Sequence, residues 1–221
     1  DVGLIVTKYN QVIFAHKNVP ILSLWKFVDV DGPDNDSKSR MTMRFVDLMR
    51  GNLVKVTALD FSDNRFFVAG HFDGKLSTFC LNSCVHFLRI IECPLNFPVS
   101  MVKVMNDNSS IITFQNFLDK NNKMNSCLVS LFSINGLLIE KLMIEDHVID
   151  CVLSSLFNGI QKNYAFILTE NGKIIALSMN SLKIKMQMET MRNDLVSLYL
   201  KDNFLLSVVK NSNITLTWRV F

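Results

Sequence analysis

Short apolar runs separated by polar turns recur along the chain, and this recurrence constrains the fold more than any other feature. The clearest copy, residues 56–79, reads VTALDFSDNRFFVAGHFDGKLSTF. It contains three strand-like runs, with Asp73-Gly74 as a tight hairpin turn between the second and the third. A fourth run, VHFLRII, follows at 85–91. Four antiparallel strands in about forty residues is the size of one β-propeller blade.

The same order of runs occurs five times, and a large side chain closes the third run of each copy. These closing residues are Trp25, Phe79, Phe132, Leu177 and Trp218. The sequence therefore predicts an all-β fold of about five four-stranded antiparallel blades, at approximately 3–50, 51–98, 99–145, 146–190 and 191–221. Longer polar stretches are predicted to be loops within these blades, at 28–40, 116–126 and 155–163.

The last copy ends after its third run, and only Asp1-Val2 precede the first run of the first copy. No segment is therefore at hand to supply a missing outer strand, and an incomplete ring would leave sheet faces bare. We expect the chain to be the C-terminal part of a larger propeller, with blades and domains upstream of this sequence.

Composition excludes several functional classes. A net charge of +3 over 221 residues is weak for a nucleic-acid-binding domain, which usually carries a clustered basic face. No run of about 18 apolar residues is present, so the sequence predicts no membrane-spanning helix. Five cysteines at irregular spacing and no visible signal peptide predict reduced thiols in the cytosol. The eight glycines are scattered and build no phosphate-binding loop, and we expect no cofactor.

One cluster of cysteine and histidine residues has the side-chain types of a structural zinc site. It comprises Cys80, Cys84, His86 and Cys93. Their spacing along one hairpin makes convergence on a single ion difficult, and buried free cysteines behave as small hydrophobic residues. The sequence therefore favours core packing over metal binding.

His147, Asp150 and Cys151 have the types of a nucleophile with its base, but they occupy one short strand. Neighbouring side chains of a strand point to opposite faces, so these three cannot form a triad among themselves. His71, which precedes the Asp73-Gly74 turn, is predicted to tie that turn to a neighbouring strand through a ring nitrogen. The sequence predicts no catalytic residue.

Two stretches resemble known repeat proteins. Residues 56–79 resemble a WD-repeat core, with a Val-Thr-Ala-Leu opening, Asp-Gly in the turn and an aromatic residue in the place of tryptophan. Residues 131–146, LFSINGLLIEKLMIED, are similar to the segment by which BEACH-family proteins leave one propeller blade and enter the next. The chain departs from the WD pattern at the Trp-Asp dipeptide, since lysine follows Trp25 and arginine follows Trp218.

The resemblance implies the C-terminal WD-repeat propeller of a BEACH-family protein. Such a propeller is a non-catalytic, cytoplasmic scaffold of membrane trafficking and autophagy-related processes, on or near endosomal or vesicle membranes. PH-like and BEACH domains would lie upstream in the same polypeptide, and other proteins would bind the propeller loops. Two alternatives stay open: a WD-repeat adaptor or scaffold of another complex (a ubiquitin ligase, coat or tether), and a propeller enzyme with acidic or histidine residues lining a central channel.

Function on such folds lies on the loops that rigid strands hold in place. We expect partner proteins to bind where the turns between second and third strands and the connections between blades share one face. Exposed apolar side chains on this face are the expected anchors, and we expect neither nucleic-acid binding nor direct insertion into a membrane. The predicted partner-binding residues are Phe72, Asp73, Phe117, Asp119, Lys120 and Asn171.

Overall fold

The predicted all-β class is confirmed by a computed structural model of the chain. The structure describes residues 2–8, 11–16, 19–30, 40–49, 52–62, 66–81, 85–105, 109–119, 124–154, 163–201 and 204–219. No stretch of these residues forms a helix with the length and apolar character needed to cross a membrane. The chain divides into two compact units, unit 1 at residues 1–108 and unit 2 at residues 109–221.

Unit 1 contains two four-stranded antiparallel sheets and one further strand. Sheet 1 joins, in chain order, β1 (Val2–Lys8), β2 (Gln11–His16), β3 (Leu22–Val30) and β4 (Arg40–Met49). Sheet 2 joins β5 (Val56–Phe61), β6 (Phe66–His71), β7 (Lys75–Leu81) and β8 (Val85–Glu92). Strand β9 (Met101–Val104) follows and lies beside β5 and β6.

Unit 2 is also built from antiparallel sheets, numbered 3 to 5. The strands of sheet 3 that belong to unit 2 are β10 (Ser110–Asp119), β11 (Met124–Ser133) and β12 (Leu138–Ile144). Sheet 4 joins β13 (Val148–Ser154), β14 (Tyr164–Thr169), β15 (Lys173–Ser178) and β16 (Ile184–Glu189). Sheet 5 joins β17 (Leu195–Lys201), β18 (Phe204–Val209) and β19 (Thr215–Arg219). Within residues 195–219, sheet 5 therefore has three strands, as the sequence predicts for the last copy.

A β-bulge recurs at the same position in four of the sheets, and it confirms how the sequence copies align. The ladder between the third and fourth strands shifts immediately before Trp25 in sheet 1, Phe79 in sheet 2 and Leu177 in sheet 4. The β11–β12 ladder shifts immediately before Phe132. A bulge places two residues opposite one and increases the local twist. These are four of the closing residues on which the sequence copies align, so the alignment matches the backbone geometry.

The sheets within each unit pack face to face. In unit 1, Ile13 and Leu24 of sheet 1 share a core cluster with Phe67 and Phe79 of sheet 2, and all four are at most 3% exposed. Burying each such side chain stabilises the fold by roughly 1.5–3 kcal/mol. In unit 2 the equivalent cluster joins sheets 4 and 5, and it includes Phe166, Leu168, Leu198, Leu205 and Val209.

A carboxylate on the first strand of one sheet accepts a hydrogen bond from the next inner strand. In unit 1 the Oδ2 of Asp60 accepts from the N–H of Val104 at 2.6 Å. In unit 2 the Oδ2 of Asp150 accepts from the N–H of Leu198 at 2.7 Å, and its Oδ1 accepts from the N–H of Cys151 at 2.8 Å. Buried backbone N–H groups need hydrogen-bond partners, and here a carboxylate provides one. Asp60 and Asp150 therefore link pairs of strands that have no backbone ladder between them.

The predicted loop at 116–126 is corrected by the structure. Strand β10 continues to Asp119 and β11 begins at Met124, so that Phe117 pairs with Ser126 inside a long hairpin. The polar composition that favoured a loop is equally compatible with strands whose side chains reach solvent, because strand propensity depends on context. Of the other two predicted loops, β3 extends to Val30, and residues 31–39 and 155–162 lie outside the described residues.

We expect Asp150→Ala to lower the free energy of unfolding by about 1–3 kcal/mol, because two backbone N–H groups lose their acceptor. Urea denaturation of the 221-residue chain measures this change. Asp150→Asn keeps an acceptor oxygen and should lose less than the alanine variant. An alanine variant as stable as the wild type would show that the carboxylate does not hold strands β13 and β17 together.

Candidate functional site

The turn between the second and third strands is tied to the residue that precedes the first strand of the same sheet. In sheet 2 the N–H of Phe72 donates to the carbonyl of Lys55 at 2.9 Å. Equivalent bonds join Glu170 to His147 at 2.8 Å in sheet 4, and Lys210 to Asp194 at 2.7 Å in sheet 5. Each of these sheets therefore brings the two kinds of connection together at one end.

His71, the last residue of β6, is buried at the base of the sheet 2 turn. Its Nδ1 lies 2.9 Å from the carbonyl oxygen of Val54, and because a carbonyl only accepts, Nδ1 carries the proton. Its Nε2 lies 2.8 Å from Ser77 Oγ and therefore accepts from that hydroxyl. The Ser77 oxygen accepts in turn from the N–H of Asn52 at 2.8 Å. His71 thus links the turn to the neighbouring strand β7, as its position in the sequence predicts.

The environment of His71 favours the neutral imidazole. Burial lowers its pKa below the usual 6.5, whereas the hydrogen bond to Val54 and the charge of Asp73 oppose that shift. Protonation would place a second N–H against Ser77 Oγ and would take away the acceptor of the hydroxyl hydrogen. The network therefore requires the form of His71 that burial selects.

Phe72 and Asp73 form the tip of this turn. The Phe72 side chain is 57% exposed. Both carboxylate oxygens of Asp73 lie 2.9 Å from Asn52 Nδ2, which donates to them, and Lys75 Nζ lies 4.0 Å from the same carboxylate. Gly74 has a φ of +77°, a conformation that favours glycine. The turn is therefore held from several sides while its aromatic ring faces solvent.

The corresponding end of sheet 4 is organised around the buried carboxylate of Asp146. Its Oδ1 accepts from the N–H of His147 at 2.8 Å, and its Oδ2 accepts from the N–H of Asn171 at 3.1 Å. The Nδ1 of His147 lies 3.4 Å from a carboxylate oxygen of Glu170, which also accepts from Asn125 Nδ2 at 3.0 Å. The exposed Asn171 side chain therefore stands on a backbone fixed by Asp146.

The remaining predicted site residues are placed unevenly. Phe117 is half-buried within β10 and not exposed in a loop, which corrects its predicted position. Its carbonyl oxygen lies 3.2 Å from His147 Nε2. Its neighbour Leu118 is 57% exposed, because adjacent strand residues face opposite sides. Asp119 ends β10, and Lys120 lies outside the described residues. In unit 2, His147 brings β10 close to the Asn171 turn, and in unit 1 Phe72 and Asp73 lie next to each other on one turn.

A polar cleft of about 380 Å³ opens beside the sheet 4 turn, lined by Asn171, Lys173, Glu189, Met191, Arg192 and Asn193. The ammonium of Lys173 lies 3.8 Å from the carboxylate of Glu189. The Arg192 guanidinium donates two hydrogen bonds to Asp194, at 2.8 and 2.7 Å, which raise the pKa of Arg192 and lower that of Asp194. Both cations of the cleft therefore have acidic partners, and the cleft presents no uncompensated positive charge to an anion.

Sequence reasoning missed the side chains that hold the turns in place, including Asn52, Asn125 and Glu170. Aligning the turns on Gly74 and Gly172, which have φ values of +77° and +75°, places Glu170 at the position of Phe72. This alignment could have been made from the sequence. The hydrogen bond between Asn52 and Asp73 could not have been predicted, because no local sequence pattern indicates that these two distant residues meet.

The structure separates the cysteine and histidine residues that were considered as zinc ligands. Cys80 pairs with His86 near one end of the β7–β8 ladder, whereas Cys93 follows β8 at the other end and donates to the carbonyl of Gly74 at 3.0 Å. Cys84 lies outside the described residues. Within the part of the chain that the structure describes, no three His, Cys, Asp or Glu side chains are grouped to hold a metal ion.

The residues considered as a nucleophile with its base are engaged in structural contacts. Asp150 accepts from two backbone N–H groups, Cys151 is buried, and both ring nitrogens of His147 face Phe117 and Glu170. Burial likewise raises the pKa of the Cys127 thiol to about 12, so that this thiol stays protonated at neutral pH.

Comparison with solved structures bears on the fold. The computationally designed Ika4 protein matches with a TM-score of 0.59 and 17% identity, over 77% of this chain and 94% of that protein. The computationally designed Ika8 protein matches with a TM-score of 0.63 and 14% identity, over 99% of this chain and 70% of that protein. BamB from Moraxella catarrhalis matches with a TM-score of 0.65 and 12% identity, over 98% of this chain and 57% of BamB.

The fold resembles that of β-propellers. At these identities the likeness extends to the fold alone. No family model and no curated protein sequence matches the chain.

The pKa of His71 predicts how stability depends on pH. The pKa of His71 is lower in the folded than in the unfolded protein. The neutral His71 ring therefore contributes its full stabilisation above its unfolded-state pKa of about 6.5, and this contribution is lost as the pH falls below about 6.5 through the folded-state pKa. We expect the free energy of unfolding to decrease between pH 7.5 and pH 5 and this decrease to be smaller in His71→Gln. Urea titrations at each pH measure it. An unchanged slope in His71→Gln would contradict the assignment.

Gly172→Ala tests the geometry of the sheet 4 turn. A Cβ at Gly172 would lie 1.5 Å from the carbonyl oxygen of Arg192, on a backbone with a φ of +75°. We expect a loss of more than about 2 kcal/mol in the free energy of unfolding, because backbone atoms have to move to remove the clash. Asn171→Ala, one residue away and exposed, should change it by less than about 0.5 kcal/mol. Equal stability of the two variants would rule out this close approach.

Proposed function

We propose that this chain is a protein-interaction platform whose partner-binding surface includes the sheet 2 turn at Phe72. The observation that supports this is an exposed aromatic ring on a turn held by side-chain hydrogen bonds. Its base is fixed by His71 and Ser77, and its tip by the amide of Asn52 on Asp73. A turn held in this way loses little conformational entropy on binding, so more of the contact energy contributes to affinity.

The chemistry of the turn favours a partner that offers an apolar pocket with polar groups at its rim. Phe72 is the apolar anchor, and the charged side chains of Asp73 and Lys75 flank it. Aromatic residues that are rimmed by polar groups contribute most of the binding energy in protein interfaces. The Asn171 turn of unit 2 is polar, and a cleft with paired charges lies beside it. We therefore assign the primary anchor to unit 1.

A finer proposal rests on segment 131–146, which is similar to an inter-blade segment of BEACH-family propellers. On this proposal the chain is a cytoplasmic scaffold that serves vesicle or membrane trafficking, with PH-like and BEACH domains in the same polypeptide. No family model supports this finer assignment, and it requires a coding sequence for a BEACH domain upstream of Asp1. The interaction platform itself does not depend on it, since an adaptor of another complex would use the same turn.

Photo-crosslinking tests the platform at its predicted anchor. We expect p-benzoylphenylalanine at position 72 to form a discrete adduct with another protein in the cells that express the chain. The same group at position 87, an exposed phenylalanine on the edge strand β8, is the matched control and should not form that adduct. Phe72→Ala should weaken recovery of the crosslinked partner at least tenfold, as removal of an interface anchor does.

Two results would contradict this proposal. One is the absence of any adduct specific to position 72. The other is full recovery of the partner by a folded Phe72→Ala chain. The Phe87→Ala chain should recover the partner at the wild-type level, which separates loss of the anchor from a general loss of exposed aromatic surface.

A further inference from the structure

The sheets of this protein have two distinct faces. We call the front face the one that carries Phe67 and Phe79 in sheet 2, and the back face the opposite one. In unit 1 the back face of sheet 1, with Ile13 and Leu24, packs on the front face of sheet 2. The contact between these two sheets is therefore a back-to-front contact.

The same kind of contact occurs in unit 2. The back face of sheet 4 carries Phe166 and Leu168, and it packs on the front face of sheet 5, which carries Leu205 and Val209. Strand pairing places these residues at positions equivalent to those in unit 1. Back-to-front packing is therefore the way in which neighbouring sheets of this chain bury their apolar surface.

The front faces of sheets 1 and 2 share a pair of aromatic residues at equivalent positions of their third and fourth strands. Trp25 follows a bulge and pairs with Phe45, as Phe79 follows a bulge and pairs with Phe87. The ring centroids of these pairs lie 5.5 and 5.7 Å apart. The face that sheet 1 presents is thus of the type that receives a back face in sheet 2.

The polar residues of the two front faces also correspond. His16 Nε2 lies 3.3 Å from Ser23 Oγ, as His71 Nε2 lies 2.8 Å from Ser77 Oγ. His71 is buried, whereas His16 is half-buried. The equivalent side chain therefore keeps part of its surface in solvent when no sheet covers it.

The front face of sheet 1 remains open to solvent. Trp25 keeps part of its side chain in solvent, whereas its counterpart Phe79 in the covered face of sheet 2 is 1% exposed. An apolar groove of about 230 Å³ lies on this face, lined by Phe14, His16, Ser23, Trp25 and Met43. A groove of this size accommodates one or two large aliphatic or aromatic side chains.

The back face of sheet 5 is open as well. Phe204, Leu206 and Val208 alternate along β18 with Leu205 and Val209, which are buried against sheet 4. Phe204 is 44% exposed. Sheet 5 therefore offers an uncovered back face, the counterpart that the front face of sheet 1 lacks.

We propose that copies of this chain associate head to tail, with the front face of sheet 1 in one copy packed on the back face of sheet 5 in another. The proposal uses the back-to-front contact that both units already contain. It is a heterologous contact, because the two surfaces belong to different sheets, and each copy keeps one free face after a single association. Such a contact does not depend on the partner-binding role of the Phe72 turn.

The size of the faces sets the expected strength of the contact. Four strands spaced about 4.8 Å apart and about six residues long span about 20 by 20 Å, or about 400 Å² on each partner. Interfaces below about 1,200 Å² in total are weak. We therefore expect a weak association that dissociates on dilution.

Sedimentation velocity of the 221-residue chain, from about 5 to 200 µM, tests this contact. We expect the weight-average sedimentation coefficient of the wild type to rise with concentration. Trp25→Lys places a charge at the front-face position whose counterpart Phe79 is buried in the sheet 1–sheet 2 contact, and Phe204→Lys blocks the back face of sheet 5, so each variant alone should remain monomeric. An equimolar mixture should form a 1:1 dimer and nothing larger, because each variant retains the face that the other has lost.

Several outcomes would overturn the proposal. A wild type that stays monomeric at 200 µM would do so, and so would an association that both variants retain. A wild-type dimer that the mixture of variants fails to restore would indicate a symmetric interface elsewhere. Met43→Lys serves as a second front-face variant, and circular dichroism verifies that each variant is folded. Leu53→Lys, which changes an exposed residue outside both faces, is the matched control and should associate like the wild type.

Discussion

The burial of one apolar sheet face against the next is the interaction on which the rest of this structure depends. A single four-stranded sheet has too little apolar surface to offset the conformational entropy lost on ordering its residues. In unit 1, Phe67 and Phe79 of sheet 2 are buried in one core cluster with aliphatic side chains of sheet 1. In unit 2, sheets 4 and 5 stand in the same relation. The turns described at the ends of sheets 2 and 4 are therefore carried by sheets that are themselves held in place by packing on a neighbouring sheet.

A second layer of interactions converts this packing into defined loop positions. The carboxylates of Asp60 and Asp150 hold the inner strands, and the ring of His71 and the carboxylate of Asp146 hold the turns. Each uses a side chain to satisfy backbone or hydroxyl groups that a regular ladder leaves without partners. The result is a set of turns with fixed backbones, on which Phe72 stands as the exposed aromatic group.

The sequence predicted the strands and their register well, because short apolar runs, the Asp73-Gly74 turn and a recurring closing residue are local signals. The run predicted at 85–91, for example, forms strand β8 at Val85–Glu92. It failed at Phe117, where polar neighbours suggested a loop and the structure has a hairpin extended to Asp119. Solvent-facing strand and loop have similar compositions, so only long-range pairing distinguishes them. For the same reason, distant contacts such as Asn52 with Asp73 had no sequence signal.

The bulge before each closing residue has a consequence for solubility. The edge strand β8 exposes Phe87, Leu88 and Ile90, and the unused backbone groups of such an edge can template pairing with another chain. A bulge between the third and fourth strands twists that edge out of the plane in which a straight strand from a neighbouring molecule would align. Because the shift recurs at Trp25 and Leu177, the outer strands β4 and β16 share this protection. One extra residue in each ladder thus acts against the fibrous aggregation to which a chain rich in exposed apolar strands is otherwise prone.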